Sequence, residues 1–303
     1  MNDTPASRQD FTPSNSDKIL FPDIRLSKGE LIAYYRDVAP VMLPHLKHRP
    51  LTLERFPDGV DANGFIQQAR SAHFPNWLEG LTVDHGGESG RIEHILCNHE
   101  TDLAFLADQG TISLHRWLSE KERLDCPNLL IFDLDPPGED FTPVKQAAWQ
   151  VKAGMTSLGL TPFVMTTGSR GLHVVAPIRP ENDFDQVRDL AQRLARHLAE
   201  RHRHTLTTEQ RKNKRQGRLY LDIMRNAFGQ TAVAPYSVRA KPGAPVATPL
   251  EWHELEQKDL GPQDYTVNNL RRRLGQKKDP WKGMQRHAVK LDTALKGLER
   301  LSG

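Results

Sequence analysis

Apolar positions along the chain recur with two periods, and the alternation between them predicts its elements. Behind Ser27, with Glu30 three residues on as a capping-box partner, Leu31, Ile32, Tyr35 and Val38 fall at helical spacing, so a helix starts near Ser27. Residues 49–56 (RPLTLERF) alternate as a strand does, and PDGVDANG after them carries Asp-Gly and Asn-Gly turn signals. Further short, turn-bounded strands are predicted at 129–135 (LLIFDLD), 162–166 (PFVMT), 172–178 (LHVVAPI), 219–223 (LYLDI) and 234–239 (APYSVR). Residues 141–158 and 184–202 read as helices, the second with Val187, Leu190, Ala191, Leu194 and Leu198 on one stripe. The closing stretch 255–303 holds TVNNLRRRL and the amphipathic MQRHAVKLDTALKGLERL, both expected to pack on the core as helices.

The order β, α, β, β, α, β from residue 129 onward predicts an α+β arrangement close to the split βαβ plan, without the eight regular repeats of a TIM barrel. No internal repeat occurs and no Pro/Ser-rich linker divides the chain. Residues 1–16 are polar and rich in Ser, Thr, Asn, Asp and Pro, a composition that does not offset the entropy of ordering, and they are expected to form a flexible tail.

Composition narrows the class. The 303 residues are 37% hydrophobic and 26% charged, as in a globular protein able to bury a core. No apolar run reaches the roughly 18 residues of a membrane span and no signal-peptide pattern opens the chain, so a cytoplasmic setting with no membrane partner is expected. Two cysteines, Cys97 and Cys126, are too few for a disulfide framework. A zinc site built from His94, Cys97, His99 and Cys126 is a further, loosely spaced alternative. Net charge is only +3, so nucleic-acid binding must rest on where the basic residues lie. They gather at Arg211, Lys212, Lys214, Arg215 and Arg218, and again at Arg271, Arg272, Arg273, Lys277 and Lys278. Either group would neutralise phosphates or simply form a solvated face.

Three constellations carry candidate chemistry. In LLIFDLDPP, Asp133 and Asp135 stand at i and i+2 of a strand, so both carboxylates point to one face, where a divalent cation would relieve their repulsion. Hard oxygen ligands of this kind suit Mg²⁺ or Mn²⁺ and phosphoryl transfer; the plainer alternative is an Asp pair that caps the turn at Pro136, Pro137 and Gly138. In TTGSRGLHVV, Gly168 and Gly171 let backbone approach an anion while Thr167, Ser169 and Arg170 offer donors; the alternative is an ordinary hairpin turn, with His173 a core histidine. In RLYLDIMRN, Asp222 shares a strand face with Tyr220 and Met224 in otherwise apolar surroundings, and it must pair with Arg225 or bind metal. Arg239 and Lys241 before a Pro/Gly turn, and His115 after ADQGTISLH, are further candidates for meeting a nucleotide.

Taken together and in this order, LLIFDLDPP, TTGSRGLHVV and RLYLDIMRN followed by YSVRA resemble the polymerase domain of bacterial ligase D, of the archaeo-eukaryotic primase superfamily. SDKILFP, SKGELIAYYRDVAP, RPLTLERFPDGVDANGFIQQ, LADQGTISLHRW and KNKRQGRLYLD extend the resemblance over nearly the whole chain after the tail. It implies a primase-like polymerase fold, central mostly antiparallel sheets flanked by helices, formed by residues 17–300 as one domain. It also implies that Asp133, Asp135 and Asp222 hold two divalent ions, Mn²⁺ or Mg²⁺, with Asp222 assisting the primer hydroxyl. His115, Thr167, His173, Arg225 and Arg239 would bind the incoming nucleotide or serve catalysis, with Ser169 and Arg170 beside them. Lys18 and Lys28 would receive a 5′-phosphate, and Phe65 would stack on template bases. The family pattern is altered where Thr167 replaces a serine, Ser169 and Arg170 replace a Gly-Lys pair, and Ile66 replaces a second aromatic.

The implied activity is a DNA-directed nucleotidyltransferase of non-homologous end joining. It would add NTPs or dNTPs, with ribonucleotides preferred, to 3′ ends at 5′-phosphorylated gaps or double-strand breaks. Its implied partners are Ku and a ligase, and its implied setting is the bacterial cytoplasm at the nucleoid. The alternatives are a primase that starts chains de novo, a two-metal nuclease, and a catalytically silent module that binds DNA ends.

Overall fold

The computed structural model describes residues 11–86 and 90–302, so most of the expected tail, residues 1–10, lies outside the described residues. Two compact units are formed: Met1–Trp117 with Thr231–Ala247 and Tyr265–Lys277, and Leu118–Gln230 with Thr248–Asp264 and Lys278–Gly303.

The second unit carries the element order read from the sequence. Its six-stranded sheet runs Leu206–Thr207, Leu219–Asp222, Leu129–Leu134, Leu172–Pro177, Phe163–Thr166, Pro249–Leu250. All neighbours are antiparallel except the first, parallel pair. Strands Leu129–Leu134 and Phe163–Thr166 therefore flank Leu172–Pro177, which is the split βαβ plan. Both Leu129–Leu134 and Leu172–Pro177 are buried along their whole length, as central strands covered on both faces must be. The helix Thr142–Ser157 packs on these two strands. The helix Phe184–Arg201 starts at Asp183, whose carboxylate accepts from the Gln186 N–H at 2.8 Å, and it buries the whole predicted stripe from Val187 to Leu198.

The first unit has a second, antiparallel sheet, in the order Thr231–Val233, Thr111–Trp117, Leu51–Arg55, Arg91–Ile95, Gly80–Asp84, with Phe65–Gln67 paired on Leu51–Arg55. The helix Lys28–Leu46 begins with the expected capping box: Ser27 Oγ accepts from the Glu30 N–H, and the Glu30 carboxylate accepts from the Ser27 N–H at 2.7 Å. The described part of the expected tail is anchored here, for the Ser14 N–H donates to Asp108 at 2.8 Å. The α+β architecture of mostly antiparallel sheets flanked by helices is thus present in both units.

Two predicted elements differ. Residues 234–237 form a turn, the predicted strand shrinks to a single antiparallel bridge of Val238 with Val246, and the strand lies just before the turn at Thr231–Val233. Pro235 has no N–H for a ladder, and Tyr236 adopts φ +68, closing the Ser237-to-Ala234 turn. The last amphipathic stretch is split: Met284–His287 is a 3₁₀ turn, and the α-helix begins only at Leu291. Val289 between them is extended because it bridges to Ile178 at the end of the central strand. No helix among the described residues is long and apolar enough to cross a membrane.

Candidate active site

Sheet register puts three chemistry-bearing residues in one row. Asp133 lies directly opposite His173 on one neighbouring strand and opposite Asp222 on the other. Cross-strand partners project to the same face, so the register gathers them there without any loop adjusting its course. Asp135, two residues beyond Asp133, follows the strand's end and precedes Pro136 and Pro137. The three aspartates line one cavity of about 320 Å³ together with Arg170, Lys212, Arg215 and Tyr220.

Asp133 is the buried member. Its Oδ1 lies 3.4 Å from His173 Nε2, and its Oδ2 accepts from Arg225 Nε at 3.2 Å. Burial opposes its ionisation, yet His173 and Arg225 outweigh that effect and hold its carboxyl down at about 2. Of the two alternatives for Asp222, pairing with Arg225 or binding metal, the first is not taken up: Arg225 pairs with Asp133. Asn226 explains why: its side chain accepts from the Ile131 N–H and donates to the carbonyls of Ile131 and Ile223, pinning the Met224–Asn226 turn beside the Asp133 strand.

Asp222 has the opposite character. Leu219 and Leu221 are buried while Tyr220 and Asp222 face the cavity, so the strand alternates as read, but the surroundings of Asp222 are polar and not apolar. One oxygen accepts from the Met224 N–H at 2.8 Å. Burial, with Asp133 and Asp135 as neighbouring like charges, nevertheless pushes its carboxyl up.

The loop after Phe163–Thr166 forms one wall. Thr167 is buried, and its Oγ1 accepts from the N–H groups of Ser169 and Gly171, so this hydroxyl shapes its own turn. Gly168 takes φ +62. A Cβ on Gly171 would run into the Leu134 carbonyl and approach Asp135, so only glycine lets the loop lie against the carboxylates. Arg170 then reaches Asp135 at 3.6 Å. Across the cavity, Arg215 stacks over the Tyr220 ring at 4.4 Å. Lys212, Arg215 and Tyr220 were legible in the sequence only as a basic cluster and a strand face, and Asn226 carried no sign beyond following Arg225.

The arrangement suits a divalent cation in its chemistry. Three hard oxygen donors share one cavity, and the raised Asp222 carboxyl registers a repulsion that a cation would relieve. His173 Nδ1, the ring nitrogen turned away from Asp133, is buried with no hydrogen-bond partner among the described residues. Among the described residues no group of three or more His, Cys, Asp or Glu side chains is drawn together tightly enough to hold a metal as it stands. The four residues of the zinc alternative are likewise not drawn together among the described residues. His94 instead meets His85, Nε2 to Nε2 at 2.8 Å, and His99 caps the helix Glu100–Asp108.

Residues 27–281 match the LigD primase-polymerase domain. The chain belongs to the LigD primase-polymerase family. A structure of the polymerase domain from Mycobacterium tuberculosis ligase D in complex with DNA is similar to it, with TM-score 0.85, 28% identity and coverage of 92% of this chain and 99% of that one. The multifunctional non-homologous end joining protein LigD of Mycolicibacterium smegmatis is 33% identical over 250 residues, and the bifunctional LigD of Bacillus subtilis 31% over 257. These alignments take in 82% and 84% of this chain but 32% and 41% of those proteins, so it spans well under half their length. Membership in the LigD primase-polymerase family makes the chain a polymerase domain, hence a nucleotidyltransferase.

The remaining residues that the LigD resemblance singles out lie in the first unit. His115 is half-buried on Thr111–Trp117, opposite Thr52 and Val233. Arg239 is half-buried just after the Val238 bridge. Lys18 is surface-exposed and donates to Asp58 at 2.7 Å. Lys28 is buried, 2.8 Å from Asp108 and 3.1 Å from Ser14 Oγ. Phe65 and Ile66 are 47% and 62% exposed on the short outer strand, with Arg55 5.1 Å from the Phe65 ring centre.

Proposed function

We propose that this chain extends 3′ ends at gaps or double-strand breaks bearing a 5′-phosphate, preferring ribonucleotides, and that residues 17–300 act as one polymerase domain. The observation that carries the reading is the cavity in which Asp133, Asp135 and Asp222 face Arg170, Lys212 and Arg215. Carboxylates and cations lining one cavity are what a nucleoside triphosphate and a primer end require.

Asp133, Asp135 and Asp222 would hold two Mn²⁺ or Mg²⁺ ions, which when bound lower the pKa of the attacking hydroxyl and stabilise the departing pyrophosphate. His173 and Arg225 keep Asp133 ionised and fixed in direction. In this reading Asp222 assists the primer hydroxyl. Arg170, Lys212 and Arg215 neutralise phosphates, with the Thr167–Gly171 turn holding Arg170 at the cavity wall. In this reading His115 and Arg239 contribute to the nucleotide, Lys18 and Lys28 to the 5′-phosphate, and Phe65 to template bases. The names of the relatives support a setting in end joining; partnership with Ku and a ligase, in the cytoplasm at the nucleoid, belongs to the same proposal.

One assay tests the reading: extension of a labelled primer on a gapped duplex, varying metal, sugar and 5′-phosphate. Growth that is fastest with ribonucleotides, Mn²⁺ and a 5′-phosphate supports it. Shortening of the primer would instead favour a nuclease, binding without growth a silent end-binding module, and synthesis on an unprimed circle a primase.

A further inference from the structure

The second basic group of the sequence, around Arg271–Lys278, does not line the cavity described above. In the first unit it forms the exposed side of the helix Val267–Gln276, whose apolar residues Val267 and Leu270 are buried. That side borders a cleft of about 180 Å³ lined by Tyr265, Asn269, Arg272, Arg273, Gln276 and Lys277. Arg273 lies 4.5 Å from the Tyr265 ring centre and donates to its hydroxyl at 3.0 Å, so its guanidinium is held in place before any ligand arrives. No Asp or Glu occurs from residue 265 to 278. Arg271 pairs with Asp37 of the neighbouring helix, and Arg272, Arg273 and Lys277 are the charged side chains that line the cleft.

We infer that this cleft is a second nucleic-acid contact, one that binds the phosphate backbone of duplex DNA irrespective of sequence. The chemistry is cations interspersed with the amides of Asn269 and Gln276, which together donate to phosphate oxygens and read no base edge. An acidic protein partner fits less well, because the helix keeps its apolar side chains buried and offers no hydrophobic anchor for an interface core. The inference rests on the polymerase reading and deepens it by adding grip on duplex away from the carboxylates.

The test compares the full chain with its Arg272→Gln/Lys277→Gln variant for binding to a blunt duplex without 5′-phosphate, across a salt series. Extension of a gapped primer is followed at saturating DNA in parallel. Two lost phosphate contacts should flatten the log-affinity against log-salt slope by about 2, so the variant's deficit grows roughly tenfold between about 200 and 50 mM salt. Extension at saturating DNA should be unchanged. An unaltered slope beside intact extension overturns the cleft and leaves the polymerase reading standing. If the wild type neither binds duplex nor extends, the polymerase reading falls and the cleft with it. Tighter capture of the wild type by poly-glutamate than by duplex would also overturn the cleft.

Discussion

Asp222 sits directly opposite Asp133 across an antiparallel strand pair, two carboxylates facing each other at the centre of a sheet. A sheet under selection for stability alone would avoid that juxtaposition, because like charges directly opposite are destabilising. Asp133 is compensated by His173 and Arg225; Asp222 is not compensated in the same way and its carboxyl is raised.

Asp222→Asn is therefore expected to stabilise the fold at neutral pH. Removing one of two facing charges is worth on the order of 1 kcal/mol, or about 2–4 °C in Tm. A carboxyl raised in the folded state favours folding below the ordinary carboxylate value of 3.8 and loses that contribution as pH rises through its folded value. The variant's advantage should accordingly appear only as pH rises above that range. Thermal melts from pH 4 to 8, taken without metal, check the sign.

The same pair makes divalent ions a stabilising ligand. Mn²⁺ at about 100 times its Kd should stabilise the wild type by about 2.7 kcal/mol through mass action, and Asp222→Asn by much less. Differential scanning fluorimetry with an Mn²⁺ titration distinguishes the two; equal shifts in both proteins would place the ion elsewhere.

Arg225→Met tests the compensation of Asp133. A carboxyl held at about 2 contributes stability above 3.8 that is lost as pH falls through about 2. Removing Arg225 should cost about 1–3 kcal/mol above pH 4 or so, and the cost should fade toward pH 2. Urea midpoints measured across that window read it directly.

The fold was legible where periodicity is strong. The stripe from Val187 to Leu198 and the Ser27–Glu30 capping box formed as read, and the β, α, β, β, α, β order is the second unit's sheet. Asp133 and Asp135 line one cavity, although the strand ends at Leu134 and Asp135 lies just beyond it. Register is different, because it is a relation between distant segments: nothing local sets Asp222 and His173 on either side of Asp133, nor sends Arg225 to Asp133. Residues 234–239 failed because alternation outvoted a proline and a positive φ at Tyr236, and the hairpin of Gly80–Asp84 with Arg91–Ile95 was missed because its outer face is too polar to stand out.

Gly171→Ala should damage the site with no change of charge. Its Cβ would collide with backbone at Leu134, so the loop carrying Arg170 must retreat from Asp135. A loss of about 1–3 kcal/mol is expected, as for other overpacked positions, along with weaker nucleotide binding. Chemical denaturation and nucleotide titration measure the two effects separately.

Ile66→Phe should tighten binding to template ends. Ile66 is exposed beside Phe65, and a second aromatic face adds about 1 to 3 kcal/mol of base stacking, while Phe65→Ala should lose a similar amount. Anisotropy with a 3′-overhang duplex, against a blunt control, isolates the contribution.

The most direct test of the three-carboxylate site is primer extension by Asp135→Ala on a gapped duplex with Mn²⁺ and ribonucleotides, run beside a thermal melt. Asp135 follows the end of its strand, is exposed and pairs with the exposed Arg170, so the melt should be unchanged while extension falls by roughly 10³-fold or more. Extension at the wild-type rate from a normally folded Asp135→Ala protein would contradict the assignment.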